Sequence, residues 1–69
     1  MITVKAGILP GRVAEWTLDA GDTVNTLVEV AELKLEGYEV KLNGSTITDL
    51  NTELANEDRI ILTKKIKGN

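Results

Sequence analysis

The side chains that could do chemistry in this 69-residue chain fall into three groups. Asp49 with Glu53, and Glu57 with Asp58, pair carboxylates that could hold a cation or share a proton. Neither pair sits in a run of regularly spaced oxygen ligands, and neither has a second catalytic partner. Turn formation and helix-start charge explain them better. Ser45 could be a nucleophile, but it follows Asn43-Gly44 and no histidine is present to activate it, which makes it a turn residue. Lys64, Lys65 and Lys67 form a basic cluster that could steer an acidic groove of a partner, or could keep a final strand soluble and off other edges. Single-stranded nucleic acid would also want stacking aromatics, which only Trp16 and Tyr38 could supply.

Composition narrows the field further. Without cysteine there is no disulfide, no thiolate zinc site and no thiol nucleophile. Without histidine the usual neutral-pH general base and the commonest metal ligand are missing. The chain is therefore expected not to be an enzyme and to need neither metal nor cofactor. A net charge of −3 argues against a general nucleic-acid binder. The charge is uneven, since residues 1–62 hold all eleven acidic side chains and only five of the eight basic ones. The longest aliphatic run, Ile60-Ile61-Leu62, falls far short of the roughly 20 apolar residues of a membrane helix. The first residues alternate polar and apolar and lack the layout of a secretory signal, so a cytoplasmic protein is expected. On that expectation Asn43-Gly44-Ser45, although it fits a glycosylation sequon, is a turn.

These groups must be positioned by a single small domain, residues 1–69. A domain of this size hides only about 60% of the surface its unfolded chain exposes, so its core must be compact. Ile2, Val4 and Ala6 alternate with Thr3 and Lys5, the period of a half-buried strand. Pro10-Gly11 reverses the chain, and Ala14, Trp16 and Leu18 alternate with Glu15 and Thr17 in a second strand. Alternation argues for a core or core-edge place for Trp16 over an interface anchor. The aliphatic pair Ile8-Leu9 at the hairpin tip fits either a contact with a partner or a local cap over the core.

From Asp22 the period changes. Val24, Leu27, Val28 and Ala31 make one helical stripe, extended by Leu35, with Asp22 or Thr23 as side-chain N-cap and Gly37 as the stop, about three turns in all. Tyr38, Val40 and Leu42 then alternate, and Asn43-Gly44 turns the chain into a short strand at Ile47. Thr52 to Ala55 is expected to form a helical turn with Leu54 inward. Arg59 to Lys65 is the last strand, with Ile60 and Leu62 inward. Its apolarity on both sides suggests a central strand or a partner-binding face. One helix laid across such a sheet buries both apolar surfaces.

The stretch Tyr38–Asn69 resembles the second half of the small ubiquitin-like sulfur carriers of the β-grasp superfamily, those that serve thiamine and molybdopterin synthesis. The matching residues are Val40, Asn43, Gly44, Ile47, Thr52, Leu54, Asp58, Ile60, Leu62 and Gly68. The resemblance implies an α+β, β-grasp (ubiquitin-like) roll, a mixed four- to five-stranded sheet packed on one helix. It also implies that an activating enzyme adenylates the terminal glycine carboxylate, which is then converted to a thiocarboxylate. A diglycine end serves that chemistry because the tail must thread a narrow channel with its backbone alone. Gly68 matches the penultimate position, whereas Asn69 stands where the family has its last glycine.

That departure favours a non-catalytic ubiquitin-like protein-binding domain acting through the outer sheet face and the tail. The expected contact residues are Ile61, Lys64, Lys65, Ile66, Lys67, Gly68 and Asn69, with Ile8 and Leu9 as a secondary contact. The expected partner is a protein, with an activating-enzyme-like protein as one candidate, and neither nucleic acid nor membrane. The alternatives are a sulfur carrier activated at its C-terminus, or a viral or accessory decoy of a host ubiquitin-like docking site.

Overall fold

A computed structural model describes residues 1–65. The strands are β1 (Ile2–Leu9), β2 (Val13–Leu18), β3 (Tyr38–Leu42), β4 (Ser45–Ile47) and β5 (Arg59–Lys64), and the helix is α1 (Val24–Val30). They form one sheet in the order β2-β1-β5-β3-β4. The central pair, β1 and β5, is parallel, while β1–β2, β5–β3 and β3–β4 are antiparallel. This is the expected α+β roll, and β5 lies in the middle, the first of the two readings of its two-sided apolarity.

The alternating pattern sets the inner face. Val4, Ala6, Leu18, Val24, Leu27, Val40, Leu54, Ile60 and Leu62 are buried in one cluster. Register explains the grouping, because Ala6 lies beside Ile60 on β5, Val40 opposite Leu62, and Ile2 opposite Leu18. Opposed residues share a face, so each strand contributes its alternate side chains to the same layer. Trp16 is half-buried opposite Val4 and packs against this cluster, which bears out a core-edge place. Its indole Nε1 is buried with no acceptor within hydrogen-bond distance among the described residues.

The helix is shorter than its apolar stripe suggests. It runs seven residues and ends in a Schellman arrangement: Glu32 N–H donates to Glu29 O (3.2 Å), Leu33 N–H donates to Val28 O (3.0 Å), and Glu32 takes φ +55°. Gly37, the expected stop, instead has φ +84° in the turn before β3. Three valines and a threonine among the seven helical residues are β-branched, so intrinsic propensity favours early termination. Leu33 and Leu35 still pack on the core, reaching it from the irregular segment that follows.

The N-terminus also departs from expectation. Thr23 has N-cap geometry but its side chain makes no capping bond, and the Asp22 carboxylate accepts from Asp19 N–H at 2.9 Å. Val24 and Asn25 N–H donate to Thr52 O and Leu50 O at 3.1 and 3.0 Å. Main-chain carbonyls of a distant loop therefore do what a side chain was expected to do. That loop is not helical at Thr52–Ala55. It is extended, with Glu53 bridged antiparallel to Thr23 and Leu54 N–H donating to Asp22 O at 2.8 Å. Bridging the helix entry requires extended backbone, and Leu54 still points inward and is buried.

Candidate functional site

The sheet face opposite α1 is assembled in rows across the strands. Glu15, Lys5 and Arg59 stand side by side on β2, β1 and β5. The next row runs Val13, Gly7, Ile61, Lys41 and Thr46, and beyond it Leu9 lies beside Thr63, which faces Glu39. Gly7, between Val13 and Ile61, carries no side chain in this row. Leu9, Val13 and Ile61 line a depression of about 400 Å³, with Lys5, Glu15 and Arg59 closing its other end. A second depression of about 340 Å³ continues past the same three charged residues to Thr3 and Glu57. The outer face is thus a trough, apolar at one end and charged at the other.

Close backbone approach explains the glycine. A Cβ on Gly7 would meet the carbonyl oxygen of Arg12 and lie 2.8 Å from Val13 Cα. Leu9 and Val13 are about two-fifths exposed, large apolar groups left in water beside the opening.

The sequence-derived site residues separate on this frame. Ile61 lies on the outer face, half-buried, in the floor of the trough. Ile8 is beside Leu62 on the inner face and packs against the core, whereas Leu9 is beside Thr63 on the outer face and exposed. Of the two readings of that pair, the local cap describes Ile8 and the open surface describes Leu9. Lys64 and Lys65 are exposed at the end of β5, and Lys65 N–H donates to Gly37 O at 2.9 Å. Leu9 is therefore at the same end of the sheet as both lysines. Ile66, Lys67, Gly68 and Asn69 lie outside the described residues. Lys5, Val13, Glu15 and Arg59 are not among the sequence-derived site residues: the β1–β2 hairpin sets Lys5 beside Glu15, and only the β1–β5 pairing across some 54 positions adds Arg59.

The carboxylate pairs serve turns. Asp49 Oδ1 accepts from Asn51 N–H at 2.9 Å, and Asp49 O accepts from the Thr52 hydroxyl at 2.7 Å. Asp58 accepts from Asn43 Nδ2 at 2.9 Å and from Ala55 N–H at 2.7 Å, while Asn43 Oδ1 accepts from Arg59 N–H at 2.9 Å. Asp58 Oδ1 and the Asn43 side chain thereby hold the β3–β4 turn against the start of β5, while Asp58 Oδ2 closes the turn that begins at Ala55. Glu57 adopts φ +71° beside it. Ser45 opens β4 directly after the turn and is exposed.

One short helix on a five-stranded mixed sheet with a parallel central pair defines a β-grasp roll, and its architecture is ubiquitin-like. Among solved structures the chain is similar to a Caldiarchaeum subterraneum ubiquitin, with TM-score 0.63 and 17% identity over 99% of this chain and 98% of that one. It is similar as well to a ubiquitin-like protein from Trypanosoma brucei, with TM-score 0.63 and 18% identity over 94% and 95% of the two chains. At such identities the likeness establishes the fold. No protein-family model and no curated protein matches the chain.

Proposed function

We propose that this chain is a non-catalytic, ubiquitin-like protein-binding domain that engages a protein partner through its outer sheet face and the adjoining C-terminal tail. The observation that carries the reading is the trough itself. Leu9, Val13 and Ile61 line its apolar part, next to the charged row Glu15–Lys5–Arg59, and Leu9 stands at the sheet end where β5 delivers Lys64 and Lys65. An apolar pocket with a charged rim is the usual composition of a small protein-docking surface. Lys64 and Lys65 would add attraction for an acidic partner surface and raise the association rate more than the affinity.

A photo-reactive side chain at position 61 tests this in the native cell. One reproducible covalent partner is expected, its capture suppressed by excess wild-type chain but not by excess Ile61→Asp. Equal suppression by both competitors would remove the outer face from the site.

The sulfur-carrier reading keeps one supporting observation, the resemblance of Tyr38–Asn69, with the Asn43–Asp58 pairing holding the matched turn in place. It requires ATP-dependent adenylation of the terminal carboxylate. Intact mass of the protein from its native cell separates the readings: sulfur in place of one terminal oxygen supports a carrier, and an unmodified terminus at Asn69 supports the binding domain. The decoy reading predicts displacement of a genuine carrier from its activating enzyme, and no displacement at saturating concentration removes it.

A further inference from the structure

The two edges of the sheet are unlike. At one edge β4 has three residues, too short to template another strand. At the other, β2 has six residues, five of them not buried, and among the described residues it bonds to the sheet on one side only, through β1. Edge strands are ordinarily protected by lysine, proline, a bulge or a cover. Along Val13-Ala14-Glu15-Trp16-Thr17-Leu18 the only charge is Glu15, and there is neither lysine nor proline. The strand is flanked by opposite charges, Arg12 before it and Asp19 after it, both exposed.

We propose that β2 is a self-association edge that pairs antiparallel with β2 of a second copy of this chain, about a two-fold axis at Trp16, to give a continuous ten-stranded sheet. The occupant follows from charge and register. An antiparallel two-fold pairing brings the Arg12 end of each strand near the Asp19 end of the other, one position off direct opposition, so opposite charges lie close together at both ends of the seam. Opposed residues share a face, which restricts the axis to a residue position if the two inner faces are to be continuous. Centred on Glu15, the pairing would oppose two like carboxylates. Centred on Trp16, it opposes Glu15 to the second copy's Thr17, Ala14 to the second copy's Leu18, and the two half-buried indoles to each other. An isologous contact of this kind closes on itself, and the three-residue β4 edge offers little for further growth. Both outer troughs then open on the same side of the extended sheet. This inference is independent of which partner occupies the trough.

Sedimentation of the full chain over a wide concentration range, read together with emission from its one tryptophan, tests it. The weight-average mass should rise toward twice the chain mass, and Trp16 emission should shift with the same midpoint. Position 17 reads the register without touching the core. Thr17→Glu sets a carboxylate opposite the second copy's Glu15 and should weaken association about tenfold, because the repulsive pair is made twice, whereas Thr17→Lys should tighten it. Circular dichroism confirms that both variants fold. A mass equal to one chain at every concentration overturns the proposal. So does self-association that responds identically to both substitutions.

Discussion

Three residues carry backbone conformations or contacts that their types make testable. Glu32 holds the left-handed position after α1, where a side chain costs about 1–2 kcal/mol that glycine avoids. Glycine also has more freedom to lose on folding, about 0.5–1 kcal/mol, so Glu32→Gly should stabilise by about 0.5–1 kcal/mol net. In a domain this small that is a rise of several degrees in thermal midpoint, readable by calorimetry. Asn43 combines φ +52° with side-chain bonds to Asp58 and to Arg59 N–H. Asn43→Ala should cost about 1–3 kcal/mol in urea denaturation, and Asn43→Gly should recover only the backbone share, leaving the loss of two hydrogen bonds visible. Gly7→Ala drives a methyl group into backbone atoms at Arg12 and Val13, which cannot swing aside as a side chain would. A loss of about 2–3 kcal/mol is expected, measured the same way.

At the scale of elements, α1 is a helix that its own sequence barely supports. Seven residues make under two full turns, isolated helices of that length are not stable, and much of this one is β-branched. It persists because Val24 and Leu27 are fully buried and because Leu50 O and Thr52 O take up its first free amides. The Asp49 carboxylate shapes that loop by accepting from Asn51 N–H. Asp49→Ala should therefore loosen a helix it does not belong to: amide exchange at Val24 and Asn25 should accelerate, with about 1 kcal/mol of global stability lost. Unchanged exchange at those two amides would mean that the loop holds its shape without the carboxylate. Such a cap is invisible to local pattern reading, since donors and acceptors lie some 25 positions apart.

For the whole molecule, a 69-residue domain has a total stability of about 3–10 kcal/mol. Leu27→Ala removes most of a fully buried side chain and should cost about 2–5 kcal/mol, enough to leave a substantial unfolded fraction by urea denaturation or circular dichroism. The sequence by itself determined which residues enter the core. Val4, Leu27, Val40, Leu54, Ile60 and Leu62 were legible because side chains repeat every two positions in strands and every 3.6 in helices, and burial follows that period. It likewise determined the Asn43-Gly44 turn, through the positive φ that both residues accept. Tertiary structure decided the rest: where the helix stops, what caps it, that Thr52–Ala55 is extended, and how Ile8 and Leu9 part to opposite faces. It also assembled the trough. Glu15, Lys5 and Arg59 become neighbours only when β1 lies between β2 and β5. The physical reason is common to all of these. Periodicity is local and survives in a string of letters, whereas a hydrogen bond or a row across strands depends on which distant segments share an edge, and that is decided by burying one common core.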